Sequence, residues 1–466
     1  MTTKAIVIGA SVAGLMAARA LSDRADEVVI FERDDIPDGP DPRGGVPQGR
    51  HAHALLGAGD KVMKAWFPGL RAQLVEKGAV ELQGENVWWY EGGGFKVRSS
   101  WGASVLTFSR PLLEHNLRQR VRQLPNVTLV SPATIDDFIV VGDRVVGVVV
   151  DGKVHNADLI VDCSGRYTRS VELLQAKGFA PPTIEQVEVG LVYRSVLLRR
   201  GENDFDGQSA QISPDFPDQS RRAVLLPIEG DRWLLTLIGM HGDVPPADEQ
   251  GFSDYARSLP TPFIADVFDG VEKISQPVAH RLPSSQWRRF DKLERHPRGF
   301  LVLGDAVTSF NPIYGQGMTS ASLQAQSLHE LLATEPLSSP HLARKHYKRV
   351  TKIIMGPWSS TVGVDFAHPK TTGKKAWGTG LMNRYLRLAH EASHTSPKVS
   401  LKLMQVQNLV APKSALFNPI MVARVFFASL RSPARTGRGQ PRPKVFVGKQ
   451  APSIAFPGRP AERLAL

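Results

Sequence analysis

The sequence predicts an α/β fold: a Rossmann-like nucleotide-binding domain, an interleaved β-sheet domain and a helical C-terminal region. The first observation is a buried-strand pattern at Lys4–Ile8 that leads into the glycine string Gly9–Gly14 and a helix. The second is an apolar run at 299–303, followed by Gly304-Asp305-Ala306 and another helix. The third is a set of long alternating strands between positions 187 and 240. Strands separated by helices predict a parallel sheet, and the alternating strands predict a second sheet.

The first glycine string has the residues that a pyrophosphate site needs. Gly9 permits the tight turn, and Gly14 lets the following helix, about Val12 to Leu21, pack closely on the strand. Free N–H groups and the dipole at that helix N-terminus favour an anion. Ser11 replaces the usual middle glycine of G-x-G-x-x-G, and its hydroxyl can donate to a phosphate. Ala13 is counted with these residues as a candidate contact.

An acidic residue follows the next strand at the distance expected for a ribose contact. The strand Glu27–Phe31 ends in Glu32 and Arg33. A carboxylate about 20 residues after the turn binds ribose hydroxyls in such sites. Glu32 and Arg33 are therefore candidate cofactor contacts, and the alternative of a glycine-rich turn in an unrelated α/β domain is disfavoured.

The second glycine string supplies the groups that a flavin needs. Asp305 would lie at the carboxyl end of its strand, beside the first string, where it can accept hydrogen bonds from ribityl hydroxyls. A glycine-rich loop then leads into a helix, about Thr319 to Thr334, whose N-terminus offers N–H groups to the N1–C2=O edge of a reduced flavin. The two strings together predict bound FAD. The candidate contacts from the second string are Asp305, Ala306, Gly315, Gly317 and Met318.

Residues 1–335 resemble the FAD-dependent monooxygenases of the aromatic hydroxylase and squalene epoxidase fold. Three strings carry the resemblance: residues 45–53 (GVPQGRHAH), 161–166 (VDCSGR) and 304–318. Within that group the chain most resembles bacterial polyketide alkene epoxidases of the lasalocid epoxidase type. The resemblance implies an enzyme that epoxidises an alkene of a polyketide or terpenoid-like product, as in antibiotic biosynthesis, through a flavin C4a-hydroperoxide formed with O2.

The resemblance also implies further contacts with the cofactor and the oxygen site. The loop Asp34–Gly49 passes along the flavin in the family, and an arginine at the start of the helix after Ser109 contacts the FAD phosphates. No side chain is expected to act as acid or base, so the flavin carries the chemistry. The residues implied are Arg43, Gln48, Arg50, Arg110 and Ile135 for the cofactor, with Pro312 and Tyr314 bordering the peroxide site.

Other reactions on the same fold remain open. One is a non-redox cycloaddition of a polyketide in which FAD is structural, and others are aromatic hydroxylation and alkene reduction. Ser164-Gly165 replaces the Asp-Gly pair of the aromatic hydroxylases, which weakens the case for direct reduction by NAD(P)H. Electrons would then come from NAD(P)H directly or through a separate flavin reductase. Trp88-Trp89 does not match the W-x-W-x-I-P string of flavin halogenases.

Spacing and composition suggest four parts in the chain. Residues 1–178 and 286–335 form the FAD-binding domain, and 179–285, with 80–105 contributing, form the sheet domain that binds substrate. A helical region at 336–430 and a basic, Pro/Arg/Gly-rich tail at 431–466 follow. Disorder is expected from Ser432 onward. A hairpin is expected at 85–98, with its Trp88–Tyr90 aromatics either in a pocket or in the core.

The composition suits a cytoplasmic protein, and the resemblance implies a small hydrophobic substrate. The 466 residues are 42% apolar, yet no apolar run reaches the 18 or more residues of a membrane span, and no secretory signal pattern is seen. Cys163 alone cannot form an intramolecular disulfide, which fits a reducing compartment. His51 and His53 have no further ligands nearby, so they are interpreted as hydrogen-bonded structural residues and no metal site is expected.

Positive charge is concentrated in the C-terminal part. From Leu337 onward there are 22 Lys and Arg against 3 Asp and Glu, a balance of +19, whereas the rest of the chain carries −7. The charge is explained by solvated helix faces and a loose tail, or by a docking surface for an acidic partner. An acyl carrier protein or an anionic membrane surface would fit, and a flavin reductase is a further candidate partner. Nucleic acid is not expected, because no binding motif accompanies the charge.

Overall fold

The structure is a computed structural model that describes residues 2–216, 219–437, 439–447 and 456. The strands are β1 Lys4–Ile8, β2 Glu27–Phe31, β3 Val80–Leu82, β4 Val87–Tyr90, β5 Val105–Thr107, β6 Val127–Val130, β7 Ile135–Val141, β8 Arg144–Val150, β9 Lys153–Asn156, β10 Leu159–Asp162, β11 Ile184–Arg199, β12 Ser209–Ile212, β13 Arg222–Ile228, β14 Arg232–Gly239, β15 Val278–Arg288, β16 Phe300–Val302, β17 Thr308–Ser309 and β18 Thr372–Gly373. The helices are α1 Val12–Ser22, α2 Gly57–Trp66, α3 Leu70–Glu76, α4 Arg110–Arg122, α5 Ser170–Ala176, α6 Glu249–Arg257, α7 Phe263–Gly270, α8 Gly317–Leu332, α9 Leu342–Asp365, α10 Thr379–Ala392, α11 Pro397–Gln407, α12 Pro419–Ser429 and α13 Pro433–Thr436.

A five-stranded parallel sheet brings distant parts of the chain to one edge. Its order is β16-β10-β1-β2-β6, with Ile8 opposite Asp162 and Asp162 opposite Val302. The central strands are mostly apolar because both faces of the sheet are covered. The carboxyl ends of β1, β10 and β16 therefore lie side by side. The segments that follow them, beginning at Gly9, Cys163 and Leu303, start from the same edge.

A second sheet combines antiparallel strands from the middle of the chain. Its order is β17-β15-β11-β14-β13-β12-β4, and β4 joins β12 in parallel. Along β13 the side chains alternate as a half-buried strand requires. Ala223 and Leu225 pack in a core with Phe252 of α6 and Phe268 of α7. The opposite face of the sheet looks toward the parallel sheet and forms one wall of a large cavity.

The hairpin expected at 85–98 is present in a short form, in which Lys96 N–H donates to the carbonyl of Trp89 at 2.8 Å across a turn at 91–94. Glu91 N–H donates to the carbonyl of Gly94, and Tyr90 forms a single bridge with Phe95. The chain then leaves the strand, because Val97 N–H is held by the carbonyl of Ser393 in the C-terminal region. β4 also pairs with β12, in parallel. Alternation settles the role of the aromatics: Trp88 packs in the sheet core and Trp89 lines the cavity.

The C-terminal region is ordered further than its composition suggested. Helices α10, α11 and α12 share a small core that includes Leu403 and Val425. The disorder expected from Ser432 is wrong for the described part of the tail. Ser432 Oγ lies 2.8 Å from His394 Nδ1, and Phe95 N–H donates to Gln440 Oε1 at 2.7 Å. Residues 448–455 and 457–466 lie outside the described residues.

One face of α12 is apolar and exposed. Ile420 and Phe427 are exposed, while Met421 and Val425 on the other face are buried. Over the residues that the structure describes, no helix combines the length and apolar character that crossing a bilayer would require.

Candidate functional site

A cavity of about 1160 Å³ lies between the carboxyl edge of the parallel sheet, the open face of the second sheet and helices α10 and α11. Single-ligand sites usually measure about 300–1,000 Å³. Both glycine strings contribute to its wall, and so do β4, β12 and β13. The cavity therefore has room for a cofactor and a second molecule beside it.

The two glycine strings meet, and their glycines are required by close contacts. A Cβ on Gly14 would lie 1.7 Å from the carbonyl oxygen of Gly9, so any side chain would push α1 away from β1. Gly9 itself has φ +97, a conformation that L side chains rarely adopt. Gly304 has φ +70, and a Cβ there would lie 2.7 Å from Cβ of Ala13. The second string thus packs directly against the first.

Ser11 is held by a charged pair behind it. Its hydroxyl donates to Glu114 Oε1 at 2.6 Å and accepts from Arg110 Nη2 at 2.9 Å. Arg110 Nε also donates to Glu114 Oε1 at 2.6 Å. Ser11 and Arg110 both line the cavity at the start of α1, where no side chain caps the helix. This end of the cavity presents uncapped N–H groups and a guanidinium to an anion, as a pyrophosphate requires.

A second layer of charges supports this end. Glu32 Oε2 accepts from Ala10 N–H at 2.7 Å and lies 2.9 Å from Arg43 Nη1, which also contacts Asp34 Oδ2 at 2.9 Å. Burial alone would lower the pKa of the Arg43 guanidinium, but Glu114 and Glu32 raise it. Glu32 and Arg43 lie behind the cavity wall and do not line it. Both brace the glycine turn from behind.

Two of the expected contacts lie away from the cavity. Arg50 is exposed in the 3-10 turn at 47–50 and does not line the cavity, whereas Gln48 of the same turn does. Ile135 begins β7 in the separate sheet β7-β8-β9, packs against the core and does not line the cavity. Arg33 lines the cavity with a mostly exposed side chain.

The second string borders the middle of the cavity. Burial raises the pKa of Asp305, and Arg110 and Arg166 oppose this effect. Gly315 has φ +66 and ends a short turn that begins at Pro312, after which α8 starts at Gly317 with no side-chain cap. The string residues that line the cavity are Asp305, Pro312, Tyr314, Gly315, Gly317 and Met318, whereas Ala306 is buried behind them.

These features fit FAD. Anion donors lie at one end of the cavity, and a carboxylate and the uncapped start of α8 lie in its middle. Cys163 is buried and its thiol pKa is raised well above the ordinary value by burial, so it is not a nucleophile at neutral pH. Within the described ranges, no group of three or more His, Cys, Asp or Glu side chains is placed to hold a metal ion.

Asp365, at the end of α9, fixes Tyr314 and was not anticipated from the sequence. Its Oδ1 accepts from Tyr314 Oη at 2.8 Å and from Asn311 Nδ2 at 2.9 Å, while Oδ2 is buried without a partner. Burial raises the pKa of Asp365 to about 7, although Tyr314 and Asn311 favour the ionised form. Asp365 is a positioning residue for the tyrosine that borders the cavity.

Replacing Asp365 with asparagine is expected to flatten the pH dependence of stability. A carboxyl with a folded-state pKa near 7 binds more protons in the folded than in the unfolded protein between about pH 4 and 7, so stability falls as pH rises through that interval. From pH 5 to 8 the wild type should lose about 2–3 kcal/mol relative to Asp365→Asn. Urea unfolding at both pH values measures this difference. Parallel pH profiles for the two proteins would contradict it.

A hydrogen-bonded group lies where the cavity meets the second sheet. His51 Nδ1 lies 2.8 Å from Ser195 Oγ, which lies 2.6 Å from Thr236 Oγ1. Burial lowers the pKa of His51 to about 3, so the ring is neutral at physiological pH. His53 Nδ1 contacts the carbonyl of His51 at 2.9 Å, and burial lowers its pKa to about 4. His51 and His53 are hydrogen-bonded as expected, but both also line the cavity.

A second charged cluster lies on the wall formed by β4 and β13. Glu91 forms an ion pair with Lys96 at 2.8 Å, and its Oε2 lies 3.2 Å from Nδ1 of His390. Burial opposes ionisation of Glu91, but the positive charges of Lys96 and Arg222 favour it, and the pKa of Glu91 is lowered to about 2. Arg222 also lines this wall, and its guanidinium carbon lies 5.7 Å from the centre of the Tyr314 ring. None of these four residues was singled out from the sequence.

Comparison with known proteins identifies two kinds of relative by sequence. The chain is 39% identical over 395 residues to Protein Rv3254 of Mycobacterium tuberculosis, covering 80% of this chain and 82% of that protein. It is 25% identical over 384 residues to a kynurenine 3-monooxygenase of Salinispora tropica, covering 73% and 75%. No protein-family model matches the chain.

Solved structures share the fold at low sequence identity. The flavin-dependent brominase Bmp2 superposes with a TM-score of 0.63 at 14% identity, covering 91% of this chain and 98% of its own. The p-nitrophenol 4-monooxygenase PnpA of Pseudomonas putida gives 0.62 at 16%, covering 88% and 97%. The Diels-Alderase PyrE3 gives 0.57 at 16%, covering 87% and 80%. The predicted α/β fold is confirmed, and it is the fold of flavin-dependent monooxygenases and halogenases.

Proposed function

The chain belongs to the same protein family as Protein Rv3254, and we propose that it is an FAD-dependent monooxygenase. The observation that carries the proposal is the meeting of the two glycine strings around one cavity that exceeds the size of a single-ligand site. The sequence similarity to a kynurenine 3-monooxygenase supports the same class of reaction.

The chain's own residues would bind the cofactor at three places. Arg110 and the N–H groups at the uncapped start of α1 would hold the pyrophosphate, and Ser11, whose hydroxyl proton goes to Glu114, would position Arg110. Asp305 would accept hydrogen bonds from the ribityl chain, and the N–H groups at the start of α8 would stabilise negative charge on the flavin ring. The chemistry that FAD supplies when bound is activation of O2 and transfer of one oxygen atom to an electron-rich carbon.

The remaining wall of the cavity would orient the substrate and exclude water. Much of it is apolar, from β3, β5, β12 and β13, and Tyr314 is held in place by Asp365. A hydrophobic substrate could therefore be held against the second string without an acid or base acting on it. We favour epoxidation of an alkene in a polyketide or terpenoid-like compound, because an alkene needs no deprotonation before it accepts oxygen.

Labelled oxygen tests this proposal directly. The holoenzyme would be incubated with a panel of polyenes and aromatic compounds, ¹⁸O₂, NADPH and a separate flavin reductase, with a reductase-only reaction as control. The expected product is heavier by one labelled oxygen atom and carries an epoxide. A rearranged product of unchanged mass would instead identify a cyclase, the activity named for the Diels-Alderase neighbour. A product that gains only hydrogen would identify a reductase, and a phenol would identify an aromatic hydroxylase.

A second measurement, of NADPH oxidation, tests where the electrons for the flavin come from. Ser164-Gly165 stands at the carboxyl end of β10, and Ser164 Oγ donates to Asp162 Oδ1 at 2.6 Å, within the parallel-sheet layer. We propose that electrons arrive through a separate reductase. NADPH oxidation by the purified holoenzyme should then be slow without the reductase, and rapid oxidation without it would contradict this route. An acyl carrier protein as substrate donor remains part of the proposal for carrier-bound substrates.

A further inference from the structure

A buried guanidinium on the cavity wall has no anionic partner. Arg222 begins β13 and is 6% exposed. It shares the cavity-facing side of the strand with Val224 and Leu226. Among the described residues it forms neither a hydrogen bond nor an ion pair, and its Nε is buried without a partner. Glu91 and Asp365 feel its charge but do not form an ion pair with it, so its guanidinium N–H groups are left to bind an anion that is not part of the chain.

The carboxyl groups nearest to Arg222 are engaged elsewhere. Glu91 is paired with Lys96 at 2.8 Å. Asp365 is held by Tyr314 and Asn311, and its pKa of about 7 leaves it only partly ionised at neutral pH. Burial keeps His390 neutral by lowering its pKa to about 4. At neutral pH this part of the wall therefore has an excess of positive charge that comes from Arg222.

The surroundings of Arg222 suit one small anionic group. The β12–β13 register, with Ile212 opposite Ala223, places Ser213 opposite Arg222. Ser213 Oγ already accepts from Trp89 Nε1 at 3.3 Å, so its own proton can be donated to a ligand. The terminal nitrogens of Arg222 have no partner and are not among the fully buried polar atoms, so they keep accessible surface in the cavity.

We propose that Arg222 binds the carboxylate of the substrate, so that the substrate is a hydrophobic free acid. A planar guanidinium matches a carboxylate with two parallel hydrogen bonds. The apolar side chains of β13 would cover the body of the molecule, and its reacting carbon would lie toward the Tyr314 end. That last placement rests on the proposed function. A carrier-bound thioester lacks this carboxylate, so the inference favours the free acid over the carrier-bound form.

Ligand binding to the oxidised holoenzyme tests the proposal without turnover. Two matched pairs serve as probes: 2-naphthoate with 2-naphthamide, and octanoate with octanamide. Changes in flavin absorbance and calorimetry give the dissociation constants. In the wild type each acid should bind at least tenfold more tightly than its amide, as expected for a charge-assisted pair. Arg222→Gln should abolish that preference and leave amide binding unchanged, and Arg222→Lys should keep part of it.

The neighbouring arginine is the matched control. Arg221 pairs with Asp243 at 2.9 Å and does not line the cavity. Arg221→Gln should therefore retain the wild-type preference for acids. Equal binding of acid and amide by the wild type would overturn the proposal. So would a preference that survives Arg222→Gln, tighter binding of octyl phosphate than of octanoate, or no binding of either acid at millimolar concentration.

A stability measurement separates a ligand-binding role from a structural one. Because Arg222 lacks a partner, Arg222→Met should raise the unfolding midpoint by about 2–4 °C. Arg110→Met, which leaves Glu114 partly unpaired, should lower it. A fall with Arg222→Met as large as that with Arg110→Met would show that Arg222 is structural. Since these readouts need no oxygen transfer, their failure would leave the monooxygenase proposal standing, and loss of labelled oxygen would leave the acid site standing.

Discussion

Gly14→Ala is expected to give a protein that purifies with less than about a tenth of the wild-type flavin. The added methyl carbon would lie 1.7 Å from the carbonyl oxygen of Gly9. Neither atom can move away by rotation of a side chain, because one is a backbone atom and the other is bonded directly to the backbone. Relief therefore requires α1 to move away from β1, which displaces the N–H groups that face the pyrophosphate. Overpacking of this kind also costs about 1–3 kcal/mol. The ratio of flavin to protein absorbance and the unfolding midpoint measure the two effects.

Gly380→Ala is the control for this substitution. Gly380 lies exposed in the first turn of α10, and nothing lies within 4 Å of the position where its Cβ would be. Alanine there should retain full flavin and stabilise the protein by up to about 0.5–1 kcal/mol. Wild-type flavin content in Gly14→Ala would show that the start of α1 does not hold the cofactor.

Glu114→Ala is expected to destabilise the protein by about 3–5 kcal/mol, because it leaves two buried guanidinium groups without their shared carboxylate. Glu114 is buried, and it contacts Arg110 at 2.6 Å and Arg43 at 3.5 Å. It also accepts from Ser11, so its loss would release the serine and the arginine at the pyrophosphate end. Denaturant unfolding measures the first effect, and FAD affinity should fall at least tenfold with it.

The stabilisation that Glu114 provides through Arg110 and Arg43 should depend on pH in one direction. Burial would raise the pKa of Glu114, but Arg110 and Arg43 outweigh it and lower the pKa below its ordinary value. The stabilisation is therefore present above the unfolded-state pKa of about 4.3 and is lost as pH falls through the lower folded-state value. The difference between wild type and Glu114→Gln should narrow below about pH 4. A difference that is constant down to pH 3 would contradict the ion-pair explanation.

Glu27→Ala is the control for Glu114→Ala, because it removes a carboxylate from an ion pair on the surface. Glu27 pairs with Lys4 at 2.7 Å, but its side chain is 46% exposed, so water already screens the pair. Its removal should change stability by less than about 1 kcal/mol. A loss comparable to that of Glu114→Ala would mean that burial does not distinguish the two pairs.

The features that could be predicted are those with a local cause. Gly9 and Gly14 meet a backbone requirement set within six residues, and Asp305 follows directly on its strand. Such requirements restrict the residue types at neighbouring positions, so the two glycine strings and the parallel sheet could be inferred from short stretches of sequence. The alternation along β13 and β14 was equally local.

The residues that were missed act through partners far away in the chain. Glu114 accepts a hydrogen bond from Ser11, 103 positions away in the sequence, and Asp365 accepts one from Tyr314, 51 positions away. Neither separation produces a repeating pattern in the sequence of the kind that identifies a helix or a strand. A weaker indication was present, because Glu114 interrupts the apolar face of α4 and Arg222 stands in phase with Val224 on β13. A charge on a face that should be buried is a reason to expect a buried partner or a ligand.

Composition misled for the tail for a related reason. A stretch rich in Pro, Arg and Gly has little to bury, so order was not expected from it. The order comes from single polar contacts such as Gln440 with Phe95 and Arg435 with Glu391. Each depends on a partner in another element, which composition does not report.

The contacts of Gln440 with the 91–95 turn have a consequence for how the protein is made. That turn carries Glu91 to the cavity wall, and His394 Nε2 contacts the Glu91 carbonyl at 2.8 Å while its Nδ1 contacts Ser432. During synthesis the glycine strings emerge and can fold well before positions 432–440 exist. The nucleotide-binding end of the cavity can thus be folded while the opposite wall still lacks these contacts. Only a chain translated beyond Gln440 carries every contact that secures it.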